Sequence, residues 1–349
     1  MARQNDGEDS LTRFILHIGP HKTGTTYLQH MLHALRDVLL ERGIYIPSIW
    51  NAAPDDPSHV RLVRAIRRRD VGLVRKEIEE ILAQRYRCVV ITCEGLSTFN
   101  LDQAGRLREL LGPAPTQVVH YIRRWPDRLP SAWKEHVRQG NKVTFPEFAL
   151  RQLMGHEGFA RPDAAILDTF SAVFGADQIK IVSYSYLVDN GIDIAGHFLT
   201  ALLDQNDIPL PDVGRPNRSL SIFDTELIRA LNAIRNPHGN DWSTAVRDWY
   251  LANKDGLAPA SLHAVMRASV GSIHLDEAKP PLAHLWRDIL TRYRTSLVSP
   301  WARDSLHEPA AIDVPFVRQD YLLEPGVPKV LGEIFEEFLQ AQEALPPRR

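Results

Sequence analysis

The residues best suited to chemistry lie early in the chain, in FILHIGPHKTGTTYLQHML, residues 14–32. Gly19 and Gly24 are separated by four positions, Lys22 sits between them, and Thr25 and Thr26 follow. A loop of this kind between a strand and a helix gathers backbone N–H groups at a helix N-terminus, an anion site by geometry and dipole. The glycines allow the backbone to curl around an oxyanion, and the threonines add hydroxyls from the first helical turn. The triphosphate loop G-x-x-x-x-G-K-[ST] carries its lysine directly after the second glycine, within reach of the β- and γ-phosphates. Here the lysine comes two residues before the second glycine. Its ammonium is therefore expected close to one phosphate and whatever that phosphate carries.

A second anion site is expected in VVHYIRRWPDRLPSAW, residues 118–133. A strand ends at Arg123 and Arg124, Pro126–Asp127 opens a turn, and a helix nearby carries Ser131, eight residues after Arg123. An arginine at a strand's C-terminal edge and a serine in the next helix can hold one phosphate from two sides. The spacing to Ser131 favours Arg123 over Arg124. Ligands of open α/β sheets bind at this edge. Glu94 follows the apolar run CVVITC directly, projects at the same edge, and is a candidate general base. His59, in PDDPSHVRL, is the second candidate, since an imidazole titrates near neutral pH. His21 flanks Lys22 and lines the loop, whereas His17 and His120 fall inside strands and read as structural. No HExxH or Cys/His spacing appears among the 14 histidines, so no metal site is expected.

The elements that must position these groups alternate. Strand patterns at 14–19, 44–49, 88–92, 117–122 and 179–184 are interleaved with helix patterns at 25–42, 71–85, 102–111, 164–174 and 191–203. The strand at 44–49 holds Pro47, which predicts an edge or an irregular strand. Apolar strands alternating with helices imply a parallel sheet covered on both faces, an α/β fold. From about 222 onward the chain reads mostly helical, broken by prolines. The expectation is a short loose tail (1–12) and one domain (13–349), with a core at 14–235 and a helical extension at 236–349.

Bulk composition bounds the partners. At 349 residues, 44% hydrophobic and 24% charged, the chain reads as an ordinary globular protein. A net charge of -2 gives no global attraction for nucleic acid, so any anion site is local. Cys88 and Cys93, an odd number of positions apart, point to opposite strand faces and cannot bridge. The polar start MARQNDGEDS lacks an apolar signal core, and no run of eighteen apolar residues occurs. The expectation is a cytoplasmic protein with no membrane span. Nothing in the residues decides for or against a homodimer.

The stretch GPHKTGTTYLQ resembles the 5′-phosphosulfate-binding loop of sulfotransferases that use 3′-phosphoadenosine-5′-phosphosulfate (PAPS). The resemblance implies a P-loop-like three-layer fold, a loop (His21, Lys22, Thr23, Gly24, Thr25, Thr26) around the 5′-phosphate, and Lys22 on the oxygen bridging to the sulfonyl group. Arg123, Asp127 and Ser131 match R-x-x-x-D-x-x-x-S, similar to the family's 3′-phosphate motif, although Pro126 lies three residues after the arginine rather than two. By the same resemblance Tyr27 stacks on adenine, Tyr184 lies near its amino group, and Asn217 and Ser219 close over the nucleotide. The arginine–lysine–glycine triplet of animal cytosolic members is absent, so the chain resembles a bacterial-type member over residues 14–235. The implied reaction is in-line transfer of a sulfonyl group to a hydroxyl of a carbohydrate, lipid or small molecule, without metal. Trp242, Trp249, Trp286 and Trp301 read as core residues of packed helices or as stacking platforms for a sugar or aromatic acceptor. The competing readings are a small-molecule kinase, with Glu94 holding Mg²⁺, and a non-catalytic nucleotide-binding protein of the same fold.

Overall fold

A computed structural model describes residues 11–53, 56–154, 162–213, 220–234, 244–257, 260–298 and 309–343. Contacts divide the chain into two units. The first comprises Met1–Arg124, Arg161–Pro216 and Ala283–Glu308, the second Trp125–Ala160, Asn217–Leu282 and Pro309–Arg349.

The first unit is built on five parallel strands: β1 (Arg13–His17), β2 (Ile44–Tyr45), β3 (Cys88–Thr92), β4 (Thr116–Ile122) and β5 (Ile179–Ser183). Their order is β2-β3-β1-β4-β5. The register sets His17 opposite Thr92 on one side and Val119 on the other. Alternating side chains of the apolar strands reach two cores. Phe14, Leu16, Val89, Ile91 and Val118 pack with Leu62, Ile78, Leu107 and Phe170 from helices Val60–Arg68, Gly72–Ala83, Leu101–Leu111 and Asp163–Phe174. Ile15, Val90, Val119 and Tyr121 pack with Leu28, Met31, Phe198 and Leu202 from helices Thr25–Ala34 and Ile194–Leu203. The result is the three-layer α/β arrangement that the alternating pattern predicts. The chain leaves β1 for the β3 side and then crosses to β4, so the ends of β1 and β4 flank the topological switch point.

Local details depart from the pattern where tertiary contacts decide. β2 is a two-residue edge strand stopped short of Pro47. The helix expected over 25–42 is broken at Leu35 into Thr25–Ala34 and Arg36–Glu41. Helices Val60–Arg68, Phe145–Leu153 and Tyr184–Asp189 have no counterpart in the periodicity reading. Cys88 and Cys93 are free and buried, on opposite faces of the sheet, and burial raises both thiols.

The second unit is largely helical, with helix Trp125–Arg138 beside Phe145–Leu153 and Ile222–Ala233. It also contains an antiparallel pair, β6 (Val270–Asp276) with β7 (Ala311–Val317). Most of β6 is exposed or half-exposed, so it lacks the apolar alternation that would reveal it in sequence. Glu226 and Arg229 form a buried ion pair at 2.7 Å, and the Tyr321 hydroxyl donates to Glu226 at 2.9 Å. Among the described residues no helix is long and apolar enough to cross a membrane.

Candidate anion-binding site

β1 ends at His17, and the next seven residues turn into helix Thr25–Ala34. Three backbone bonds fix the root of this turn: Ile18 N–H to Val119 O (3.0 Å), Cys93 N–H to His17 O (3.2 Å) and Tyr121 N–H to Gly19 O (3.1 Å). Both neighbouring strands therefore hold the loop. Gly19 and Gly24 have φ of 84° and 74°. A Cβ on Gly24 would fall on Ile194 Cδ1 and lie 2.9 Å from Tyr184 Cε2, so a side chain is excluded on both conformational and steric grounds. Lys22 also has a left-handed φ of 70°, unusual for a residue with a Cβ. Thr23 is buried and its hydroxyl donates to Pro20 O at 2.7 Å, which closes the turn internally. Helix Thr25–Ala34 has Gly24 as its N-cap, no capping side chain and no acidic residue in its first turn. Its N-terminal N–H groups thus lack a side-chain cap and lie at the positive end of the helix dipole.

Two side chains from neighbouring strand ends close on this loop. From β3, the Glu94 carboxylate accepts from the Thr25 hydroxyl through Oε1 and pairs with His21 Nδ1 through Oε2. Ser97 Oγ donates to Glu94 O (2.7 Å), and Arg67 donates to Gly95 O (3.2 Å), which fixes the short helical turn Glu94–Thr98. From β4, Arg123 Nη1 donates to Lys22 O at 2.6 Å, and its guanidinium lies 5.1 Å from the Tyr184 ring centroid. Arg123 thus spans the loop and the aromatic wall, and its bond to the Lys22 carbonyl supports the left-handed turn.

Arg124 is engaged elsewhere. Both its terminal nitrogens bond Asp189, at 2.9 and 2.8 Å, and its backbone N–H donates to Ser185 Oγ. Ser131 stands on helix Trp125–Arg138, in the second unit. Tyr184 opens helix Tyr184–Asp189 and walls the loop at Gly24. Tyr27 donates to Asp193 Oδ2 at 2.7 Å, and burial together with that carboxylate pushes its phenol up to about 12. Asp193 is also the N-cap of helix Ile194–Leu203, accepting from Gly196 N–H, so the Tyr27 ring is anchored to that helix.

Thr26 is exposed at the start of its helix, whereas the Thr25 hydroxyl, expected to face an anion, donates to Glu94. His59 is not among the gathered groups. It is 1% exposed, its Nδ1 accepts the Thr92 backbone N–H at 3.0 Å, and it packs edge-on to Trp50. Burial holds its imidazole down at about 3. These contacts tie the start of helix Val60–Arg68 to β3, a structural role that corrects the expectation of a base. His17 is likewise buried and held at about 3, chiefly by burial, with Nδ1 at 2.8 Å from Thr92 Oγ1. Asn217, Ser219, Trp242 and Trp301 lie outside the described residues. Trp249 packs edge-on against Phe338, a core contact.

Sequence reasoning missed Asp189, Asp193 and Ile194, which hold the aromatic and arginine walls. It also missed the pairing of His21 with Glu94. No local pattern signals contacts across 65 to 166 positions.

No family model and no curated protein matches the chain. Among solved structures, it is similar to a crystal structure of a sulfotransferase from Alicyclobacillus acidocaldarius. The identity is 18% and the TM-score 0.38, over 58% of this chain and 85% of that one.

Proposed function

We propose that this chain is a sulfotransferase that takes PAPS as its donor and an acceptor hydroxyl as its second substrate. The observation that carries the reading is the glycine-shaped loop Gly19–Thr25, its lysine in mid-loop, closed by Arg123 from β4 and Glu94 from β3. A triphosphate loop needs its lysine after the second glycine; a single phosphate bearing a leaving sulfonyl group needs a cation at its bridging oxygen. The residues suit such a donor, because helix Thr25–Ala34 has no capping side chain at its N-terminus and Lys22 and Arg123 bring cationic groups to the loop. PAPS supplies an activated sulfonyl group and a phosphate leaving group.

The chain's own residues have three tasks. The loop N–H groups and Thr26 hold the 5′-phosphate, with Thr25 fixed to Glu94 beneath them. Arg123 supplies charge toward the 3′-phosphate while keeping the Lys22 backbone in its left-handed turn. The Lys22 ammonium neutralises charge that builds on the 5′-phosphate, an electrostatic effect strongest in the transition state. Removal of the acceptor's proton falls to the group around Glu94, since His59 is enclosed in the core. A sugar hydroxyl is the favoured acceptor class.

A thermal-shift titration with adenosine 3′,5′-bisphosphate tests the reading. Saturation at a hundredfold excess over Kd corresponds to about 2.7 kcal/mol of stabilisation. Binding is expected to be the same with and without EDTA. A requirement for Mg²⁺, with ATP preferred, would support a kinase instead. Binding of the bisphosphate with no turnover of PAPS would support a non-catalytic protein.

A further inference from the structure

We infer that the acceptor's proton is taken by His21, with Glu94 as the carboxylate that orients it, so that base and donor site share one loop. The inference rests on the sulfotransferase reading and deepens it. Both Glu94 oxygens are committed, Oε1 to the Thr25 hydroxyl and Oε2 to His21 Nδ1. A carboxylate engaged on both oxygens and 19% exposed is poorly placed to collect a proton from a second substrate. His21 is the reverse case: its side chain is 60% exposed, with Nδ1 turned to the carboxylate. A carboxylate at Nδ1 requires the proton on that nitrogen in the neutral ring, which leaves Nε2 with its lone pair. This is the relation by which a buried carboxylate fixes the tautomer of a catalytic imidazole and stabilises the imidazolium that forms.

The loop supplies the rest. His21 precedes Lys22, so base and leaving-group cation are adjacent residues on a backbone fixed by Thr23 Oγ1 to Pro20 O and by Arg123 to Lys22 O. As the acceptor oxygen bonds to sulfur, its proton passes to His21 Nε2. The bond from sulfur to the 5′-phosphate oxygen breaks, and that phosphate keeps the electron pair beside the Lys22 ammonium. The products are the sulfated acceptor, adenosine 3′,5′-bisphosphate and a His21 imidazolium paired with Glu94. Lys22 follows His21 in the chain, Arg123 bonds the Lys22 carbonyl, and Arg67 bonds the carbonyl of Gly95, next to Glu94. Glu94 contacts the ring directly, and its loss removes the acceptor that holds the proton on Nδ1.

Water is an acceptor that needs no knowledge of the natural one, so the test measures release of adenosine 3′,5′-bisphosphate from PAPS between about pH 5.5 and 9. Wild-type protein, His21→Gln and Glu94→Gln are compared, with bisphosphate affinity by calorimetry and the imidazole tautomer by NMR of ring-labelled histidine. Loss of a general base costs about 10²- to 10⁴-fold. His21→Gln is expected to lose at least 10²-fold in rate and the ascending acid limb, with bisphosphate Kd within about twofold. Glu94→Gln is expected to lose less rate than His21→Gln, and the His21 ring, protonated on Nδ1 in the wild type, is expected to show mixed tautomers in Glu94→Gln without any donor present. Full rate and an unchanged acid limb in His21→Gln, with both lost in Glu94→Gln, would make Glu94 the base and overturn the inference while leaving the donor reading intact. A wild-type His21 ring protonated on Nε2 rather than Nδ1 would overturn it as well. Wild-type protein that binds no bisphosphate overturns the donor reading itself.

Discussion

Gly24→Ala probes the loop at the point where sequence and structure constrain it most. Gly24 has φ of 74°, and a Cβ there would fall on Ile194 Cδ1 and lie 2.9 Å from Tyr184 Cε2. The left-handed backbone costs a residue with a Cβ about 1–2 kcal/mol. Forcing a methyl into occupied space costs about 1–3 kcal/mol more, toward the low end if Ile194 turns aside. The expected loss is about 2–4 kcal/mol in urea unfolding, and bisphosphate affinity is expected to fall at least tenfold as the loop shifts. The two terms separate in a double-mutant cycle with Ile194→Val, which removes the obstructing methyl. Ile194→Val alone costs about 0.5–1.5 kcal/mol. In the Gly24→Ala background it is expected to recover about 1 kcal/mol of the steric term and none of the backbone term. A neutral Gly24→Ala, or strictly additive costs in the cycle, would refute this account of the loop's shape.

Four further outcomes are expected. Lys22→Ala lowers PAPS turnover by about 10²- to 10³-fold while weakening bisphosphate binding far less, because its charge acts mainly as the leaving phosphate develops; steady-state kinetics beside calorimetry checks the split. Arg123→Ala weakens adenosine 3′,5′-bisphosphate by about 10- to 100-fold, the value of a charge-assisted contact. It weakens adenosine 5′-phosphate less, through loosening of the Lys22 turn, and equal losses would remove Arg123 from the 3′-site. Arg124→Ala, which breaks a partly exposed ion pair with Asp189, changes bisphosphate affinity less than twofold and stability by less than about 1 kcal/mol. Stability falls as pH drops below about 6.5, because His17 and His59 resist protonation down to about 3 when folded yet bind protons when unfolded. Unfolding therefore takes up to two protons between those limits, and His59→Gln is expected to remove about one of them from the pH slope of urea unfolding.

How much of this was legible in sequence follows the range of the interactions. Strand and helix alternation is a local signal, and Phe14-Ile15-Leu16 and Val89-Val90-Ile91 reveal a two-faced sheet by being apolar without interruption. The loop was legible because Gly19, Lys22 and Gly24 are close in the chain and the glycines sit where the backbone is left-handed. The choice of Arg123 over Arg124 was legible only as spacing; the Asp189 pair that occupies Arg124 lies 65 positions away. The Leu35 break and the β6–β7 pair were hidden because tertiary packing decides them, whereas helix Val60–Arg68, with Leu62, Val63 and Ile66 at helical spacing, was legible.

His59 shows the limit most clearly. As a residue type in a polar segment it is a reasonable base, and only the fold reveals that it sits 1% exposed with Nδ1 filled by a backbone N–H. The sequence by itself determined the α/β layering and the glycine-shaped loop with its early lysine, since both are written in residues near one another. Only the tertiary structure decided that Glu94 spends both oxygens on Thr25 and His21, that Arg123 grips the Lys22 carbonyl, and that His59 belongs to the core. Those facts depend on which strand ends become neighbours, and parallel β3, β1 and β4 bring together residues dozens of positions apart.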